Sequence, residues 1–215
     1  MWDYSESVMK NILEKSGMDF SIQDGEGAFY GPKIDITVPD ALEREWQLGT
    51  VQLDFFASEK FGLNYINKDG DKENVVLIHR AIFGSLERFF GILIEHFGGA
   101  FPFWLSPEQF SIIPISENQF EHSKSVEKKL LSHGLRGKVD LSSDRFNNKI
   151  RKAQQMKTPL MVIIGDKEVE NNLLTIRLRS GKNLNDVKIE SLINLFKENS
   201  KINDDDSLKT VLEET

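Results

Sequence analysis

Three short segments carry the side chains that could do chemistry. GEGAFYGPKIDI (25–36) offers a hydroxyl and an ammonium, Tyr30 and Lys33, in a glycine-rich loop. REWQLGTVQLDF (44–55) offers two amides, Gln47 and Gln52, and VVLIHRAIFGSLERFFGILIEHFGG (75–99) offers an imidazole, His79, and a guanidinium, Arg88. Hydroxyls and amides orient a polar ligand by hydrogen bonding, while Lys33 and Arg88 supply a mobile point charge and a rigid fork, both suited to phosphate. A turn with a surface lysine and two solvated glutamines would give the same residue pattern without any ligand.

The elements that position these residues follow from periodicity. Val75, Leu77 and His79 alternate with Val76, Ile78 and Arg80, which predicts a buried strand ending on two polar side chains. From Gly84 onward, Leu86, Phe89, Phe90, Leu93, Ile94 and Phe97 fall on one face of a helix, so that face is expected to pack. The opposite stripe is Gly84, Arg88, Gly91 and Glu95. A helical glycine costs about 1 kcal/mol relative to alanine, so the glycines imply close approach of a backbone or a ligand, with Arg88 reaching out as a phosphate clamp. A helix packed tightly on a sheet, with Arg88 in an ordinary ion pair, fits the same stripe. In the second segment strict alternation puts Gln47 and Gln52 on opposite faces of a strand. Gly49 between them predicts a bulge near Gly49 and Thr50, which would turn both amides to one side.

With 215 residues and 39% hydrophobic content the chain can bury a core of one or two domains. It has no cysteine, which excludes disulfides, and no apolar run long enough to span a bilayer. No basic-then-apolar leader opens the sequence, so a cytoplasmic location is expected. The formal net charge of −7 excludes coating of nucleic acid by bulk charge and leaves room for a local patch.

Residues 1–105 are expected to form antiparallel sheet plus helix: a helix at 4–16, strands near 33–38, 46–56 and 74–79, and the helix at 84–97. FGGAFPFWLSP breaks this pattern and places a boundary at 104–108. In 106–201 apolar runs at 110–115, 138–142, 159–165 and 173–179 alternate with helices at 118–133, 146–157 and 187–199. That order predicts a mostly parallel βαβ sheet with its last strand pair antiparallel across the turn Asp166 to Asn172, so the fold class is α+β followed by α/β. Residues 202–215 form an acidic tail expected to be disordered. Phe146, Ile150 and Ala153 line one face of the 146–157 helix beside Arg145, Lys149 and Lys152, and no acidic residue interrupts 145–157. A solvated helix face or a phosphate-contacting stripe would each read this way.

The third segment resembles motif 3 of the class II aminoacyl-tRNA synthetases, and FYGPKID with WQLGTVQLDF is similar to the catalytic core of the threonyl-tRNA synthetase family, against a prolyl or glycyl relative. WLSP followed by the α/β segment resembles the join to that family's anticodon-binding domain, and the likeness runs from Trp2 to about Lys201. The resemblance implies a partial class II sheet followed by an anticodon-binding domain. It further implies ATP-dependent activation of threonine to threonyl-adenylate, transfer to threonine tRNA, Mg2+ with the ATP, and a homodimer in the intact enzyme. It assigns Arg88 to the ATP phosphates, Lys33 to catalysis, Tyr30 to the threonine pocket, Gln47 and Gln52 to the adenylate and threonine site, and His79 to a catalytic Zn2+. In the second domain it matches Glu168, Arg177 and Ser143 to anticodon contacts, with Ser143 where bacterial relatives often carry asparagine, and it gives Lys149 a phosphate contact.

The sequence also departs from the family. The family's zinc is held by one cysteine and a second histidine as well; this chain has no cysteine, and His96, His122 and His133 fall on predicted helices away from the pocket. One imidazole cannot hold zinc tightly. Motifs 1 and 2 would precede Met1, so the chain is expected to be a C-terminal fragment that is inactive alone. The alternative is a non-catalytic tRNA-binding or regulatory module derived from a synthetase.

Overall fold

A computed structural model describes residues 1–199; the expected acidic tail at 202–215 lies outside the described residues. The chain divides into two compact units, Met1–His96 and a second that begins at Phe97.

The first unit opens with α1 (Trp2–Ser16), stopped by Gly17 in the left-handed conformation. Strands β1 (Lys33–Pro39) and β2 (Glu45–Asp54) pair antiparallel. Their connection is organised by one carboxylate: Asp40 accepts the backbone N–H groups of Leu42 and Arg44, the Arg44 guanidinium and the Trp46 indole N–H. Burial pushes the Asp40 carboxyl up, but these hydrogen bonds, led by that from Trp46, outweigh it and hold the group well below the usual carboxylate range. A short α2 (Phe56–Lys60) and a hairpin of β3 (Asn64–Ile66) and β4 (Lys72–Asn74) follow. Then β5 (Leu77–Ala81) completes a three-stranded sheet of order β1-β2-β5, and α3 (Leu86–Phe97) ends the unit. The sequence reading missed α2 and the hairpin. It also put His79 at a strand end, whereas β5 runs on to Ala81 and is largely exposed.

The packing expected of α3 is not seen: Leu86, Phe90 and Ile94 are 72%, 54% and 42% exposed. Periodicity identified the apolar face correctly but carries no information about what covers it. Among the described residues of this unit the buried apolar side chains are Leu48 and Pro32.

The second unit holds almost all of the core. It contains β6 (Phe110–Pro114), α4 (Phe120–Ser132), β7 (Gly137–Val139), α5 (Phe146–Gln155), β8 (Leu160–Ile164), α6 (Asp166–Asn171), β9 (Leu174–Leu178), β10 (Asn183–Val187) and α7 (Ile189–Asn199). The sheet order is β10-β9-β8-β6-β7. Strand β6 pairs parallel with β7 and β8, while β8–β9 and β9–β10 are antiparallel. The sheet is therefore mixed rather than mostly parallel, because the polar strand NLNDV, which sequence patterning did not flag, adds a second antiparallel pairing. One face packs Phe110, Ile112, Val162 and Ile176 with Leu130 of α4 and Leu192 of α7; the other packs Ile113 and Met161 with Phe146, Ile150 and Ala153 of α5. Gly137 is required where β7 meets β6, since a Cβ there would lie 2.3 Å from the Phe110 carbonyl oxygen. The segment expected to hold the boundary, 104–108, is tied into this unit. Arg136 donates to the carbonyls of Trp104 and Ser106, and the Gln109 amide donates to that of Phe103.

Two outcomes follow from these packings. In urea unfolding, Ile176→Ala removes a fully buried side chain and lowers stability by about 2–5 kcal/mol, whereas Leu86→Ala is silent within about 0.5 kcal/mol. A large Leu86 effect would contradict the exposed α3 face. For Asp40 the folded pKa lies below the unfolded value of about 3.9, so its contribution is complete above that pH and is lost as pH falls further towards the folded value. The urea midpoint of Asp40→Asn therefore falls below wild type at pH 7, and the gap narrows below pH ~4; a gap independent of pH would contradict this assignment.

Candidate functional site

The face of the β1-β2-β5 sheet that gathers the polar residues is set by register. Lys33 lies opposite Gln52, and Gln52 opposite His79, so all three occupy one face. Further along, Ile36 pairs with Gly49 but Thr37 with Gln47, leaving Leu48 as an extra residue in β2. This is the irregularity that Gly49 predicted. A single extra residue shifts the two-residue alternation by one, so Gln47 joins Gln52 on the same face instead of opposing it. Glycine fits on both sides of the bulge. A Cβ on Gly49 would sit 3.1 Å from Ile36, and one on Gly84, whose φ is +65°, would sit 3.0 Å from the Leu48 carbonyl oxygen. Gly84 thus precedes α3 and packs on the bulge backbone, while Gly91 has open space around its Cα, so close approach accounts for the first glycine and not the second.

Tyr30 is delivered by the Gly27–Pro32 loop. Gly31 rides directly over β2, where a Cβ would lie 2.2 Å from the Leu53 carbonyl oxygen, and Leu53 and Phe55 donate backbone hydrogen bonds to Pro32 and Tyr30. The Tyr30 hydroxyl donates to the Gln52 amide oxygen at 2.7 Å, and its ring meets that of His79 edge-on at 6.2 Å between centroids. Lys33 is paired with Asp35 at 2.7 Å. Beside them, His79 Nε2 lies 2.8 Å from Asp54 Oδ2, and Asp54 Oδ1 accepts the N–H groups of Phe56 and Ala57 at the start of α2. The hydrogen bond from Ala57, then that from His79, holds the Asp54 carboxyl below its ordinary range against the upward push of burial. Sequence reasoning missed Asp54; the available signal was an aspartate two residues before a short helical run, in QLDFFASEK.

Arg88 is placed apart from this cluster. Its guanidinium lies 5.6 Å from the Trp46 ring centroid, and Nη1 donates to the Gln47 carbonyl at 3.0 Å. The alternative of an ordinary ion pair is not what holds it; the nearby ion pair joins Glu95 to Arg44. Arg88 is therefore fixed at the bulge and exposed.

For the metal, no three His, Cys, Asp or Glu side chains gather to hold an ion among the described residues. His79 with Asp54 makes at most two donors where a zinc site needs three or four, so these described residues by themselves do not fit the ion.

In the second unit, Arg177 pairs with Met161, and Thr175 with Ile163, so both lie on the α5 face of the sheet. Arg177 Nε is buried with no hydrogen-bond partner among the described residues. Glu168 reaches the same face: its carboxylate accepts the Thr175 hydroxyl at 2.8 Å and the Gly165 N–H at 2.9 Å. Burial raises the Glu168 pKa, but the Thr175 and Gly165 hydrogen bonds prevail and lower it. Ser143 is exposed in the turn before α5. Lys149 is not on a solvated stripe: it is 4% exposed, with Nζ donating to the Asp140 carbonyl at 2.9 Å and lying over the Phe120 ring. Lys152 is likewise paired, with Asp144.

Comparison with known proteins agrees with this division. Residues 2–97 match the tRNA synthetase class II core domain (G, H, P, S and T), and residues 109–199 match the anticodon binding domain. The threonine-tRNA ligase of Thermotoga petrophila is 47% identical over 193 residues, and that of Acetivibrio thermocellus 48%; each alignment covers 90% of this chain and 30% of the relative. The chain thus spans about three tenths of the length of the curated relatives it matches. Among solved structures it is similar to the RNA binding domain of threonyl-tRNA synthetase from Cryptosporidium parvum Iowa II, at 40% identity and a TM-score of 0.84, covering 92% of this chain and 50% of that one. It is also similar to the putative threonyl-tRNA synthetase ThrRS-1 of Aeropyrum pernix, at 32% identity and a TM-score of 0.65, covering 99% and 50%. The polar face on a class II core segment, followed by an anticodon-binding domain and matched along nine tenths of the chain, makes this chain similar to the C-terminal region of threonyl-tRNA synthetases.

Proposed function

We propose that this chain is the part of a threonine-tRNA ligase that closes the threonine and ATP site and binds the anticodon arm of threonine tRNA. The observation that carries the reading is the convergence of Tyr30, Lys33, Gln47, Gln52 and His79 on one sheet face, with the bulge at Leu48 bringing in Gln47. In the intact enzyme threonine and ATP condense to threonyl-adenylate, releasing pyrophosphate, and the threonyl group passes to the terminal ribose of the tRNA. On this face the Gln52 amide N–H groups are left as donors once its oxygen is taken by Tyr30, and they orient a carboxylate or a carbonyl. Arg88 and Lys33 are the cations that would meet the triphosphate, and with magnesium they stabilise charge that develops as the phosphoryl bond breaks. Arg88 reaches it by exchanging the Gln47 carbonyl, a neutral partner, for phosphate. The homodimer of the intact enzyme is proposed on the family resemblance alone. No helix of the described residues is long and apolar enough to cross a membrane.

In the second unit, Arg177, Glu168 and Ser143 form the anticodon surface on the α5 side. Splayed bases present open edges to such groups, and Arg177, with a buried nitrogen lacking a partner, is the side chain with most to gain. Lys149 holds the 140–145 turn that carries Ser143, in place of a direct phosphate contact.

A second reading, a tRNA-binding or regulatory module without catalysis, is favoured by the uneven core: the second unit is well packed, while the first buries only Leu48 and Pro32 of its apolar side chains among the described residues. Both readings predict that the chain binds threonine tRNA in preference to an unrelated tRNA, and that Arg177→Ala weakens this about tenfold, or 1.4 kcal/mol, without altering the circular dichroism spectrum. Equal binding of both tRNAs would contradict either one. The chain alone is expected to catalyse no threonine-dependent ATP-pyrophosphate exchange, and robust exchange would show that these residues suffice for activation. Equilibrium dialysis separates the readings: ATP binding weakened by Arg88→Ala supports the ligase fragment, and threonine tRNA binding with no ATP binding supports the module.

A further inference from the structure

We propose that Trp46 is a positioning residue for Arg88: its ring, tethered by Asp40, holds the guanidinium at the β2 bulge in the orientation from which it meets phosphate. The phosphate role rests on the function proposed above; the positioning does not.

An exposed arginine samples many rotamers, and each time it meets a ligand the ordering of that long side chain costs entropy. Two contacts order Arg88 beforehand. Its Nη1 donates to the Gln47 carbonyl at 3.0 Å, and its guanidinium lies 5.6 Å from the Trp46 ring centroid. The hydrogen bond fixes one nitrogen and leaves the planar group free to swing about it. The indole supplies the second restraint, because a cation within about 6 Å of an aromatic centroid is drawn to the ring. Both partners are neutral, so neither cancels the charge that an incoming anion would meet.

The ring is itself held from elsewhere. Trp46 Nε1 donates at 2.9 Å to Asp40 Oδ2, and Asp40 Oδ1 is occupied by the N–H groups of Leu42 and Arg44. That carboxylate has a fully buried side chain, so the connection between β1 and β2 sets the direction of the indole without help from Arg88. A second guanidinium, that of Arg44, lies 6.0 Å from the same centroid. Two like charges at one ring would repel each other, and carboxylates prevent it: Arg44 pairs with Asp40 at 2.6 Å and with Glu95 of α3 at 3.0 Å. Arg44 therefore reaches from β2 to the helix while Arg88 reaches from the helix to β2, and Trp46 is common to both. Of the two cations, Arg44 is neutralised in place and Arg88 is ordered with its charge uncompensated.

Two substitutions separate the ring from its tether. Trp46→Leu removes the aromatic face, and Trp46→Phe keeps a face but loses the N–H that Asp40 accepts. In the whole chain labelled with 15N-arginine, at mildly acidic pH where the Nε proton exchanges slowly, the Arg88 signal is assigned by its loss in Arg88→Lys. Wild type should show Nuclear Overhauser contacts from the Arg88 side chain to the Trp46 ring and a 15N relaxation pattern more ordered than that of the exposed Arg151. Trp46→Leu should bring Arg88 to the mobility of Arg151 while the backbone amide spectrum stays folded, and Trp46→Phe should restore part of the order. An Arg88 as mobile as Arg151 in wild type, or equally ordered in a folded Trp46→Leu chain, would overturn the proposal. A Trp46 that served packing alone would give that second result. Were Trp46→Leu not to fold, the wild-type contacts and the partial loss in Trp46→Phe would decide. Equilibrium dialysis with MgATP reads the functional arm: Trp46→Leu should weaken binding roughly fivefold, because the lost order must be restored on binding, and Trp46→Phe less. Unchanged binding in Trp46→Leu would overturn the link to phosphate. A wild-type chain that binds no MgATP would instead overturn the functional reading of Arg88 and leave its positioning to the relaxation data.

Discussion

One extra residue in β2 is the constraint on which the candidate site depends. Leu48 has no partner in the ladder, and its insertion reverses the side-chain alternation from that point on. Three consequences meet there. Gln47 comes to the face of Gln52 and His79; the backbone carbonyl of Gln47 is released to hold Arg88; and Gly84 can fold its turn against Leu48, which sets where α3 begins. Leu48 is also a buried apolar side chain, so the irregularity that arranges the polar face is anchored by the hydrophobic effect. A regular ladder would bury the same leucine or present the same amide, but not both.

The second unit works the other way, with a strong core that leaves one sheet face only partly covered. Alternate residues of β6, β8 and β9 build the apolar layer under α4 and α7, while α5 packs on Ile113 and Met161 of the opposite layer. The same period that buries Leu174 and Ile176 therefore turns Thr175 and Arg177 to the α5 side. Glu168 is held there by the Thr175 hydroxyl and by the N–H of Gly165, so the start of α6 and the face of β9 are joined by one carboxylate.

Much of this was legible in the sequence, and the failures have physical causes. The bulge could be read because glycine within a strand marks a departure from the ladder. The apolar face of α5 could be read because Phe146, Ile150 and Ala153 recur at helical spacing. The α3 stripe was read as packed because periodicity reports which face is apolar, and burial depends on a partner surface that sequence does not supply. Lys149 was assigned to a cationic stripe by spacing, yet it is buried because the Asp140 carbonyl and the Phe120 ring, each distant in sequence, satisfy its ammonium. Strand β10 was missed because NLNDV lacks apolar alternation and is interrupted at Asp186, where φ is +58°. The pairing of Asp54 with His79 spans 25 residues and depends on register, so no local pattern announces it.

The bulge can be tested by mapping interstrand nuclear Overhauser contacts across β1 and β2. The account predicts Thr37 opposite Gln47 and Ile36 opposite Gly49, with Leu48 unpaired between them. Contacts that place Thr37 opposite Leu48, in an unbroken ladder through the strand, would put the two glutamines on opposite faces and contradict the site described above.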